Sequence, residues 1–132
     1  MRRFTLPFAL AAVLVAGVAL AQSDRVTAEF SPLQASGISG DAKLNPMVQQ
    51  GTTRIQVQLK GLQPNTEYVS SIFQGDATCT SGVPTVITNF TSNPAGIAVF
   101  HKDVSLELST IRSISVQLAS DPAVLACAGV TP

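Results

Sequence analysis

The chain has 132 residues, with eight Lys and Arg against eight Asp and Glu, 45% hydrophobic and 5% aromatic residues. A neutral balance with no basic patch argues against a nucleic-acid binder, and the length fits one domain with one core. A single histidine, His101, and two cysteines, Cys79 and Cys127, leave little material for a metal centre.

In chain order, the first element is Met1-Arg2-Arg3 followed by an apolar run from Phe4 to Ala21 that closes on Ala19-Leu20-Ala21. A basic start, an apolar run and a small-residue cleavage site predict a signal peptide over 1–21 and a mature domain over 22–132. A retained anchor is the alternative, because the run approaches bilayer-spanning length. Alanines dominate it, and no basic stop-transfer flank follows. Without Arg2 and Arg3, six basic residues face eight acidic ones, so the mature domain is slightly acidic. The expected location is secreted or periplasmic, with no membrane span after cleavage. In such a compartment a Cys79–Cys127 disulfide is favoured over two free thiols. Closing a loop of roughly fifty residues stabilises a small fold by about 4 kcal/mol in the chain-entropy picture.

The mature sequence reads as short strands separated by turns. Val26–Phe30 and Ser39–Leu44 come first, with a turn at Asn45-Pro46. Arg54 to Lys60 alternates, placing Ile55, Val57 and Leu59 on one face and Arg54, Gln56, Gln58 and Lys60 on the other. A turn at Gln63-Pro64-Asn65 leads to Tyr68–Phe73, and Gly82 to Pro84 leads to Thr85–Phe90. Asn93-Pro94-Ala95-Gly96 separates that strand from Ile97–Lys102. Ser113–Leu118 alternates again, with Ile114, Val116 and Leu118 inward and Ser113, Ser115 and Gln117 outward. Asp121-Pro122 precedes a last strand around Val124–Val130. Phe30, Phe73, Phe90 and Phe100 are expected in the core. Seven to eight such strands predict an all-β, antiparallel Greek-key sandwich or flattened barrel.

Several segments, taken in order, resemble the copper-zinc superoxide dismutase family over nearly the whole mature length. Ala35-Ser36-Gly37-Ile38-Ser39-Gly40-Asp41-Ala42 is similar to that family's second strand, and Ile55 to Leu62, ending Lys60-Gly61-Leu62, to its third. Phe73-Gln74-Gly75-Asp76 up to Cys79 resembles the entry to its disulfide loop, and Thr88 to Val99 its next hairpin. Leu125-Ala126-Cys127 closes the chain as that family's last strand does.

The resemblance implies copper and zinc held by imidazoles, and at the corresponding positions this chain departs from it. The strand that carries the first copper ligands reads Val69-Ser70-Ser71, the late copper position is Gln117, and the substrate-guiding arginine corresponds to Val124. The zinc subloop is reduced to Thr80 to Ile87 and contains neither His nor Asp. Serine, valine and glutamine do not replace imidazole around a redox copper. The expectation is therefore a scaffold without catalytic residues, metal or cofactor, and not an enzyme.

The remaining features are weak. His101, close to Asp103, reads as a solvated strand end, with a weak metal site or acid–base pair as the alternative. Ser70-Ser71 lacks the Gly-x-Ser-x-Gly surroundings of a nucleophile. Asn89-Phe90-Thr91 is formally a glycosylation sequon and reads as strand sequence. Leu62-Gln63-Pro64-Asn65-Thr66-Glu67-Tyr68 also resembles the tyrosine corner of fibronectin type III modules, an adhesion reading. The sequence thus points to a non-catalytic binding or structural module of the cell envelope, with an envelope protein or a second copy as partner. Its expected contact surface is the polar face of Gln56, Gln58, Ser70 or Ser71, Ser115 and Gln117. A divergent dismutase or metal-binding protein and a fibronectin-like adhesion module are the alternatives.

Overall fold

Alternation in the sequence becomes alternation in burial. In β3 (Thr52–Lys60) Ile55, Val57 and Leu59 are buried while Arg54, Gln56, Gln58 and Lys60 lie in solvent. Each fully buried aliphatic side chain of this kind contributes about 1.5–3 kcal/mol. The computed structural model describes residues 25–131; the signal expected over 1–21 lies outside them. The other strands are β1 (Val26–Pro32), β2 (Ser39–Met47), β4 (Glu67–Phe73), β5 (Thr85–Thr91), β6 (Ala98–Val104), β7 (Ser113–Leu118) and β8 (Val124–Gly129). Two 3-10 turns, Val48–Gln50 and Leu108–Thr110, are the only helical elements among the described residues.

All pairings are antiparallel, in the order β5-β4-β7-β8-β1-β2-β3-β6. The chain leaves β3 for the β4–β5 hairpin on the far side and returns to place β6 beside β3, a Greek-key path. The sheet curls until β5 and β6 approach each other without pairing, so the barrel is closed except for one seam. Aromatic rings bridge that seam from inside. Phe90 of β5 stacks on Phe100 of β6 at 4.8 Å between centroids, and on Tyr68 of β4 at 5.7 Å.

The main core runs through the barrel and includes Ala42, Leu44, Ile55, Val57, Ile72, Ile114, Val116 and Ala126. Of the phenylalanines, Phe30 belongs to it, Phe90 and Phe100 are partly buried against it, and Phe73 sits in a separate cluster with Cys79 and Cys127. The disulfide joins Cys79 to Cys127.

The turn expected at Asn45-Pro46 is not there. Both residues continue β2, opposite Arg54 and Thr53, and the chain reverses over 48–51 with Gly51 left-handed at φ 66°. Proline is tolerated because β1 starts at Val26, opposite Leu44, so beyond that point β2 has no neighbour on its β1 side among the described residues.

The β3–β4 crossover is tied to the β5–β6 turn by a buried polar knot. Tyr68 is 1% exposed, and its hydroxyl accepts the backbone N–H of Gln63 at 2.9 Å. The Ser92 hydroxyl donates to the Gln63 carbonyl and accepts the Thr66 N–H at 3.0 Å. Asn93 Oδ1 accepts the N–H groups of Ala95 and Ile97, both at 2.9 Å, which shapes the facing turn.

Candidate functional site

Strand register gathers most of the positions singled out by the family resemblance. On the outer face of β4, β7 and β8, Val69 stands opposite Gln117, and Gln117 opposite Val124. The next row is Ser71, Ser115 and Cys127; the one after it is Phe73, Ser113 and Gly129. Two bulges frame this patch. One lies at Ser70/Ser71 against β5 and turns the extra residue Ile87 inward, and the other lies at Val116/Gln117 against β8.

Ser70 does not belong to the patch. It pairs with Val116 on the inner face, is fully buried, and donates its hydroxyl hydrogen to the Ser115 carbonyl at 3.0 Å. Ser71, Ser113 and Ser115 do face outward, yet they are 3%, 0% and 0% exposed. Strand alternation assigned the direction of Ser113 and Ser115 correctly and left the choice between Ser70 and Ser71 open. It could not show that the chain between β4 and β5 folds back over the outward serines. Cys79, left-handed at φ 60°, places its sulfur on β8 and donates its N–H to Ser113 Oγ at 3.2 Å. Ser113 in turn donates to the Asp76 carbonyl at 2.8 Å.

Asp76 organises this covering loop. Its carboxylate accepts the N–H groups of Thr78 and Thr80, each at 3.2 Å, and their hydroxyls at 2.9 and 2.5 Å. Hydrogen bonds to the ionised form, that from the Thr80 hydroxyl foremost, hold the carboxyl far below the usual carboxylate range. Asp76 has no role in the sequence reading, and Ser113 figures there as an outward strand residue alone. The spacing Asp76-x-Thr78-x-Thr80 is the signal for such an Asx-centred loop.

The contact surface expected from the sequence is not one surface. Gln56 and Gln58 lie on the outer face of β3, four strands along the sheet from β7, which carries Ser115 and Gln117. Of the resemblance positions on the β4–β7–β8 side, Val69, Gln117 and Val124 are half-buried, and Glu67 and Gly129 are exposed at the ends of that face. His101 is exposed on β6, opposite Gln56, and so belongs to the other half. Its sequence neighbour Asp103 is engaged elsewhere, accepting Arg54 Nε at 2.8 Å and Nη2 at 3.2 Å. That hydrogen bond, with the guanidinium charge behind it, lowers the Asp103 pKa and raises that of Arg54.

Chemically the patch offers two aliphatic side chains, one amide and buried hydroxyls. The residues present do not fit copper or zinc, because among the described residues no imidazole, thiolate or carboxylate stands at the positions that would hold them. Among the described residues no three His, Cys, Asp or Glu side chains form a metal-ligating group. The buried serines have no histidine beside them to take a proton, so the geometry of nucleophilic catalysis is missing. The sequence matches no protein-family model and no curated protein.

Proposed function

We propose that this chain is an exported, non-catalytic domain on a superoxide dismutase-like scaffold, acting as a binding or structural module of the cell envelope. The observation that carries the reading is the convergence of Val69, Ser71 and Gln117 on one outer patch. Those are the positions where the resemblance expects copper ligands, and each bears a side chain unable to hold a redox metal. The Greek-key barrel supports the scaffold, since superoxide dismutase and many cell-surface domains share that architecture, and function resides in the site rather than in the fold. The Cys79–Cys127 bond fits an oxidising compartment, and no helix among the described residues is long and apolar enough to cross a membrane.

One observation favours a second reading, a fibronectin-like adhesion module: the Tyr68 hydroxyl accepts the Gln63 N–H, the bond of a tyrosine corner. The corner sits on the fourth of eight strands, early for that family. It serves here to fasten a crossover loop.

The test is elemental analysis of the oxidised mature protein after incubation with copper and zinc, alongside a superoxide dismutation assay. A folded protein without bound metal or activity is the expected result. About one tightly bound copper per chain together with dismutation would overturn the proposal.

A further inference from the structure

On the opposite half of the barrel the register aligns Glu29, Asp41, Gln58 and Val99 in one row across β1, β2, β3 and β6. Glu29 and Asp41 stand directly opposite each other, where like charges destabilise an antiparallel pair. Among the described residues neither has a cation within ion-pair distance, and the single ion pair is Arg54–Asp103. At the other end of the row Val99 is 62% exposed, and its neighbour Ile97 is 43% exposed.

An open groove of about 550 Å³ is lined by the two carboxylates, by Lys60 one outward position away on β3, and by these two aliphatic side chains, so two acidic groups face one cation that pairs with neither. Gly40 also lines it, at φ 149°, where a Cβ would overlap the Gln58 carbonyl oxygen, so the position stays without a side chain. A like-charge pair, exposed aliphatics and a bare glycine thus coincide in one depression. A sequence optimised for stability alone would remove the first two.

We propose that this groove is a docking site for an extended segment of a partner protein that carries a lysine or arginine beside an aliphatic residue. The cation lies between Glu29 and Asp41 and cancels their repulsion, and the aliphatic residue covers Ile97 and Val99. The inference rests on the binding-module reading above and assigns it a surface and a partner chemistry. Charge complementarity selects the occupant. A second copy is a poorer fit: four strands about 4.8 Å apart, with some four outward residues each, bury only about 1,000 Å² across both partners, below the range of about 1,200–2,000 Å² for stable interfaces.

The test uses the ¹⁵N-labelled, oxidised domain and the acetylated, amidated peptide Ser-Val-Arg-Val-Ser, with a glutamate-for-arginine peptide as control. Saturable amide shifts centred on Gly40, Gln58 and Val99 are expected with the arginine peptide, weakening with salt and absent with the control. In the Glu29→Gln/Asp41→Asn variant the peptide should bind at least about fivefold more weakly, while the free variant melts at the same temperature or higher. A melting temperature that does not fall separates a binding role from a structural one. The proposal is overturned by a lack of saturable shifts at the groove, by unchanged binding in the variant, or by a variant that melts lower. Shifts centred on Val69 and Gln117, or a dimer in light scattering that excludes the peptide, also overturn it while leaving the broader binding reading in place. Bound copper with dismutation removes that broader reading instead.

Discussion

Tyr68→Phe isolates one hydroxyl in the knot between the β3–β4 crossover and the β5–β6 turn. The ring remains, so its burial and its stacking on Phe90 are kept. What is lost is the acceptor for the Gln63 N–H at 2.9 Å. Leaving a buried partner unsatisfied costs about 1–3 kcal/mol, and this bond is only part-buried, so water can recover some of the loss. The expected cost is about 1–2 kcal/mol, which for a domain near a hundred residues lowers the melting temperature by about 5–10 °C. Ser92→Ala removes a donor to the carbonyl of the same Gln63 and the acceptor for the Thr66 N–H. Because both side chains hold one peptide segment, the double variant should be non-additive by at least about 0.5 kcal/mol. Urea unfolding of the parent, both single variants and the double variant measures all of these terms. A Tyr68→Phe protein within about 0.5 kcal/mol of the parent, or strict additivity, would refute the knot as a mechanical unit.

Other consequences can be measured in the same way. Replacing Cys79 and Cys127 by serine together should cost up to about 4 kcal/mol in urea unfolding; a loss below about 1 kcal/mol would mean that the Asp76–Ser113 contacts alone fix the covering loop. Ala35, left-handed at φ 55°, strains the turn between β1 and β2, so Ala35→Gly should stabilise by about 0.5–1 kcal/mol, and a loss of stability would contradict that backbone reading. The depressed Asp76 pKa means that its contribution is present above the ordinary carboxylate pKa and is lost as pH falls towards the folded value. Phosphine reduction of the disulfide should therefore quicken in the parent between about pH 5 and about pH 2 more than in Asp76→Ala, which starts loose. Equal pH dependence in the two proteins would remove Asp76 as the clamp.

Elements whose logic is local were legible from residues alone. Ile55, Val57 and Leu59 announce β3, and Ile114 and Val116 announce β7, because a side chain's face follows from strand periodicity. Pro46 misled because its cost depends on whether a neighbouring strand needs its N–H, a fact about β1 that lies elsewhere in the chain. Ser113 and Ser115 misled for a related reason: alternation tells inside from outside, and only the path of the disulfide loop tells covered from open. The positions of the outer patch could be aligned individually, but their meeting at Val69, Gln117 and Val124 is a matter of register. The opposed Glu29 and Asp41 were invisible for the same reason, twelve residues apart in sequence and face to face across a hairpin.

The seam between β5 and β6 bears on how this protein could go wrong. Two strand edges that would each template a neighbouring chain are turned towards one another and held by the Phe90–Phe100 stack instead of a hydrogen-bond ladder. Lys102, on the core-facing side of β6 and yet exposed, puts a charge where an invading strand would have to pack. Self-association should then follow slippage of one aromatic contact rather than melting of the whole domain. Lys102→Val would leave the melting temperature nearly unchanged and turn a harmless local opening into a nucleus for fibrils.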